Sequence, residues 1–153
     1  MAKVSFTKLG LKINQDIVCL DFNEQSIEIK QYLPVNDKLE LISNVINAAH
    51  EENNFANPVK ISVFTTLEIM YAYTNINFTD KQKEDFLKLY DSILSSGLAD
   101  MIFDAIPEGE MNQLLIAIEK SVKAVYDYKN SALGIMESIS TDYSNLNLDA
   151  TAI

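Results

Sequence analysis

The residues on which a catalytic or ligand-binding motif could be built are few: one histidine and one cysteine for their side chains and four glycines for their backbone, set among 22 acids in 153 residues. His50 stands in Ala49-His50-Glu51-Glu52, without the second histidine that a zinc-binding H-E-x-x-H places on the same helix face. It reads as a helix-terminal histidine that interacts with the C-terminal dipole. A nucleophile-and-base pair has no other imidazole to draw on. One histidine and one cysteine are also too few ligands for a zinc or iron site. Cys19 cannot form a disulfide within the chain. Its setting, Ile17-Val18-Cys19-Leu20, predicts a buried, inert thiol.

The carboxylates read as helix starts. Glu108 and Glu110 open one predicted helix, and Asp80, Glu84 and Asp85 open another, where acids complement the N-terminal dipole. Asp80 and Glu84 also stand at helical spacing from Lys83 and Lys88. Both clusters are expected to be solvated. A carboxylate-only enzyme of the glycosidase type would need two acids facing each other across an apolar cleft, and no tryptophan offers a sugar platform. Gly10, Gly97, Gly109 and Gly134 are too scattered for a phosphate loop or dinucleotide fingerprint, and no calcium-loop pattern occurs. No cofactor or metal is expected.

Tyrosines are the more suggestive set. Tyr71 and Tyr73 flank Ala72, and Tyr126 and Tyr128 flank Asp127. Residues two apart on a helix point about 200° away from each other, so one of each pair is expected in the core and the other at a rim or interface. The plainer alternative is tyrosines at the core edge hydrogen-bonded to water. Tyr126 and Tyr128, with Tyr143, Leu146 and Leu148 of the C-terminal stretch, are the candidate partner-binding residues.

Charge limits the partners. All 12 basic residues are lysine, and against 22 acids they leave a net charge of −10. Duplex nucleic acid is an unfavourable partner for such a surface, which lacks clustered cations and arginine forks. The charge is spread out: residues 1–33 are neutral, 34–79 carry −3, 80–106 carry −3 and 107–153 carry −4. A hydrophobic content of 48% argues against wholesale disorder. Met1 to Phe6 lacks the apolar stretch of a signal peptide, and no apolar run approaches the ~20 residues that span a bilayer. A cytosolic product is expected, which makes the Asn77-Phe78-Thr79 sequon a chance match.

The elements that must position these residues follow from periodicity. Residues 16–31 read as a β-hairpin: Ile17, Cys19 and Phe22 on the first strand, Asn23-Glu24-Gln25-Ser26 as the turn, and Ile27, Ile29 and Gln31 alternating on the second. Val4 to Ile13 suggests a further short strand. From Asn36, the expected N-cap, Leu39, Ile42, Val45, Ile46 and Ala49 recur at helical spacing, and the polar run 50–54 ends that helix. Asn57-Pro58 reads as a cap and first helical residue, with a strand over 59–63 as the less favoured alternative. Thr79 to Gln82 fits a capping box, and Gly97 a C-terminal stop. Leu98 to Ile106 is a short helix. Pro107 then starts a long one over about 108–140, which would measure about 50 Å, longer than so small a globule needs. Part of it is expected to project or to pack on another chain. Gly134 weakens its last turns by about 1 kcal/mol. The polar tail 141–153 reads either as frayed alone or as ordered against a partner. The class is α+β and predominantly α-helical: one domain over 1–140, with an N-terminal β-hairpin, a helical body over 36–140 and a long C-terminal helix.

Three stretches, Ile27 to Pro34, Ala72 to Asp85 and Tyr143 to Ala150, resemble small acidic proteins of tailed bacteriophages from low-GC bacteria. A strand pair followed by a helical body is similar to the plan of tail assembly chaperones, which bind the tape measure protein while the tail tube grows. The resemblance implies a non-enzymatic, self-associating structural or assembly protein whose helices cover apolar surface on other phage structural proteins. It implies action in the host bacterial cytoplasm, with incorporation into the virion as a further location. The alternative from another class is a phage-encoded acidic inhibitor that occupies a cationic groove of a host protein by charge mimicry. Neither reading calls for a membrane or for nucleic acid.

Overall fold

The computed structural model describes residues 1–50 and 57–151, with side chains described as far as Asn145. The hairpin is present as β1 (Ile17–Phe22) and β2 (Gln25–Lys30), paired antiparallel with Leu20 opposite Ile27 and Cys19 opposite Glu28. Its turn is tighter than expected. Asn23 and Glu24 alone make it, both at positive φ (48° and 63°), which matches the right-handed strand twist, while Gln25 and Ser26 already pair with β1.

That register decides which face is core. Ile27 and Ile29 are buried, and Leu20 and Phe22 pack against the core from β1. Cys19 falls on the opposite face and is exposed, so the expected buried thiol is corrected by the period-two alternation of the strand. The stretch Val4 to Ile13 contains no strand: Phe6–Leu9 form a single 3-10 turn that ends at Gly10 in the left-handed region, φ 61°. Every residue from Met1 to Cys19 is exposed.

Helix α1 (Val35–Ala49) begins two residues earlier than predicted, with Pro34 rather than Asn36 at the N-cap. Helix α2 (Pro58–Tyr73) settles the helix-or-strand question for helix. The Asn57 side chain accepts from the amides of Val59 and Lys60, and Pro58 occupies the first turn, where its missing N–H costs nothing. The capping box is complete: Thr79 Oγ1 accepts from the Gln82 amide, and Gln82 Oε1 accepts from the Thr79 amide. The helix it opens is divided, however, into α3 (Asp80–Glu84) and α4 (Phe86–Ser95). The break at Asp85 (ψ 56°) accompanies the packing of Phe86 against Phe64, ring centroids 4.8 Å apart. Gly97 (φ 77°) ends α4 and leads into α5 (Leu98–Ala105).

The largest departure concerns the long helix. It is two helices, α6 (Glu108–Lys129) and α7 (Ala132–Thr151), with Pro107 just outside the first. The chain turns at Asn130-Ser131, where side chains compete for the helix carbonyls. Asn130 Nδ2 donates to Tyr126 O (2.9 Å), Ser131 Oγ donates to Tyr128 O (2.5 Å), and Ser131 Oγ accepts from the Gly134 amide (3.2 Å). Gly134 therefore has a different role from the one expected. A Cβ there would overlap the carbonyl oxygen of Tyr128, so only glycine admits the close approach of the two helices. The helix boundary expected at 140 is not observed, because α7 continues through Thr151 with no glycine or proline after Gly134 to stop it.

The core gathers Ile29 and Leu33 from the hairpin end, Leu41 and Val45 from α1, Leu67, Ile69, Met70 and Tyr73 from α2, Ile102 from α5 and Leu114 from α6. Helix α1 packs on both α2 and α6. The free edge of β2 is closed rather than left as a template for further pairing: Glu28 and Asn75 exchange hydrogen bonds, Ile29 bridges to Thr74, and Gln31 Nε2 donates to Ala105 O at 2.9 Å.

Candidate functional site

Three arrangements have the makings of a site. The first is buried and polar. Glu110, read from sequence as a solvated helix start, is 8% exposed and holds three partners. Its Oε1 accepts from the Leu33 amide (3.0 Å) and the Tyr73 hydroxyl (2.8 Å), and its Oε2 pairs with Lys38 Nζ at 2.9 Å. Lys38 also lies 4.3 Å from the centre of the Tyr32 ring. Burial pushes the carboxyl up, but the hydrogen bonds from Leu33, Lys38 and Tyr73 outweigh it and hold Glu110 below the ordinary carboxylate range. Tyr73 is pushed the other way, first by burial and then by its bond to Glu110. The acid is ionised, the phenol stays protonated, and every acceptor is engaged. This is a clamp joining α6 to α1 and α2, with no free group to do chemistry.

Tyr73 is fully buried while Tyr71 lies at the edge against Phe78, so the expected division into core and rim holds for that pair. It fails for Tyr126 and Tyr128, which are 43% and 47% exposed. Tyr126 stands beside Ile46, Ala49 and His50 at the end of α1, which covers it only in part, and Tyr128 lies toward α7. Tyr128 donates to Glu137 (2.5 Å) across the turn into α7, and this bond before all else raises its pKa. His50 ends α1 as expected, but its Nε2 faces Lys129 Nζ at 2.7 Å, tying the ends of α1 and α6 together. Lys83, placed by sequence beside Asp80 and Glu84, lies over the Tyr71 ring at 4.8 Å.

The second arrangement is the face of α7. Of its described side-chain positions, 132–145, only Gly134 is buried. Ala132, Met136, Ile139 and Tyr143 recur at spacings of four, three and four, the pattern that lays an apolar seam along one side of a helix. Met136, Ile139 and Tyr143 are all more than 60% exposed. Leu146 would continue the seam by sequence, but the side chains of Leu146 and Leu148 lie outside the described residues. Of the candidate partner-binding residues, the structure brings Tyr126 and Tyr128 to the α6–α7 corner and sets Tyr143 about three turns beyond.

The third was not legible in the sequence. Between α2 and α6 runs an apolar groove of about 720 Å³, with Phe103 and Tyr126 also in its lining. Ile61, Thr65, Thr66 and Ile69 form one wall, and Met111, Leu115, Ile118 and Val122 the other. The Thr65 Oγ1 is buried there without a hydrogen-bond partner. Glu119 and Lys123 stand at the groove's edge. The apolar residues of α6 had each been assignable to a helix face, but the gap between two such faces depends on how α1 separates them.

Among the described residues, no group of three or more His, Cys, Asp or Glu could hold a metal ion, and no helix is long and apolar enough to cross a membrane. In comparisons with known proteins the sequence matches no family model, no curated protein and no solved structure.

Proposed function

We propose that this is a non-enzymatic bacteriophage structural or assembly protein, similar in role to tail assembly chaperones, that acts through helix-mediated binding to other phage structural proteins. The observation that carries the reading is α7, a helix of 20 residues that directs its apolar seam to solvent. A helix gains most of its stability in water by burying one face, and among the described side-chain positions of this one only Gly134 is buried. It suits insertion into a helical groove or a bundle with a partner, where anchors at i, i+3, i+4 and i+7 are read together. The phage resemblance supplies the class of partner: structural proteins, the tape measure protein among them, together with further copies of this chain. The acidic, arginine-free surface disfavours nucleic acid as the target.

The test is co-expression with the structural proteins of the phage that encodes the chain, followed by affinity capture. The intact protein is expected to retain at least one of them, and Ile139→Glu to weaken that binding about tenfold or more. Ile139 is 63% exposed, so the body should unfold at an unchanged temperature. A compact monomer that captures none of them, or an Ile139→Glu protein that binds equally well, would overturn the reading.

A further inference from the structure

The segment before the hairpin is built unlike the rest of the chain. Val4, Phe6, Leu9, Leu11 and Ile13 are all more than half exposed, yet the segment has local order. Lys8 and Gly10 donate their amides to Ser5 O and Thr7 O, closing the 3-10 turn over Phe6–Leu9. Side chains three apart eclipse one another in such a turn, so Phe6 and Leu9 form a single apolar knob, 74% and 54% exposed. A contiguous apolar patch of this kind on a folded chain marks an interaction surface.

Its charge is as distinctive. Residues 1–15 contain Lys3, Lys8 and Lys12 and no acid, giving +3, whereas the remaining 9 lysines and 22 acids leave −13 on the rest of the chain. A second copy of the same protein is therefore a surface of opposite sign. It also offers a matching cavity, because the α2–α6 groove is apolar along its floor and carries both Glu119 and Lys123 at its edge, so the difference in charge lies between the arm and the body as a whole. Its volume lies within the roughly 300–1,000 Å³ of sites that enclose a compact apolar ligand.

We propose that the residue 1–15 arm of one protomer seats its Phe6–Leu9 knob in the α2–α6 groove of a second copy, with an arm lysine against Glu119. This deepens the self-association contained in the proposed function and specifies its contact. The contact uses a different surface from the α7 seam, so arm exchange between copies leaves α7 available for another partner. Apolar burial in the groove supplies the attraction, and the opposite charges of arm and body set its orientation and speed of encounter.

The experiment uses the full chain alone, in a Cys19→Ser background. Protein carrying Ser5→Cys, which leaves Phe6 and Leu9 intact, is mixed with protein carrying Ser62→Cys, at the exposed rim of the groove, and oxidised. A disulfide joining positions 5 and 62, identified by peptide mass mapping in the species at twice the 17.2 kDa chain mass, is expected in yield about tenfold above that obtained with Ser92→Cys on α4, outside the groove. Absence of the mixed species, or equal yield at the two positions, overturns the proposal. In parallel, Phe6→Asp is expected to raise the dissociation constant of the oligomer, measured by light scattering, about tenfold or more. Phe6 is buried against nothing in its own protomer, so the unfolding temperature of the dilute chain should not move. A chain that is monomeric at all concentrations, or an unchanged dissociation constant, also overturns it. Since no phage partner is present, this failure is separable from loss of Ile139-dependent capture.

Discussion

Glu108 and Glu110 are the same residue type in the same first turn, and they have opposite fates. Glu108 is exposed, whereas Glu110 lies four and eight residues before the buried Leu114 and Ile118, on the face that meets the core. That spacing was readable, and it was overridden by the general preference of acids for solvated helix starts. Replacing Glu110 with alanine should cost about 3–5 kcal/mol in urea denaturation, because Lys38, the Tyr73 hydroxyl and the Leu33 amide would lose their shared partner. The pH dependence follows from its lowered pKa. The folded state holds this proton more weakly than the unfolded chain does, so the stabilisation is complete above the ordinary value of 4.5 and is lost as pH falls through the lowered native value. Denaturation midpoints measured over that acid range should fall less steeply for Glu110→Gln than for the unmodified protein. At the hairpin, Cys19 is exposed, so a thiol reagent should label it in the native state to the same stoichiometry as after unfolding.

At the scale of elements, helix starts were legible where a side chain satisfies the first amides within three residues, as at Asn57 and Thr79. Breaks inside long periodic stretches were not. Asp85 and Asn130-Ser131 interrupt sequences whose apolar spacing continues across them, and the interruption at Asn130 depends on side-chain bonds made in the turned state. Gly134 is the residue that permits this turn. Gly134→Ala is expected either to straighten α6 into α7 or to destabilise the corner by about 1–3 kcal/mol. A distance measurement between spin labels on the two helices distinguishes these outcomes from an unchanged turn. Because α7 buries no described side chain beyond Gly134, its amides should exchange with solvent far faster than those of α2, which carries Leu67, Met70 and Tyr73 in the core.

At the scale of the molecule, one small core supports three features that face outward: the arm before β1, the α2–α6 groove and the seam of α7. A net charge of −10 keeps such a chain dispersed by mutual repulsion, and the repulsion vanishes near the isoelectric point. Solubility in low salt should therefore pass through a minimum near pH 4.4, measured as protein remaining in solution after equilibration across the acid range. The even distribution of charge over the sequence conceals one local reversal, since the neutral first 33 residues divide into a +3 arm and an acidic hairpin.

The sequence by itself determined the α+β class, the hairpin, the cap at Asn57, the capping box at Thr79 and the stop at Gly97, because each depends on residues within a few positions of one another. Tertiary structure alone decided that Cys19 faces solvent, that Glu110 is a buried clamp, that Tyr126 and Tyr128 both lack a core, and that α2 and α6 stand far enough apart to leave a groove. Those outcomes depend on which surface arrives from elsewhere in the chain. Periodicity identifies an apolar face, and only packing determines whether another element covers it.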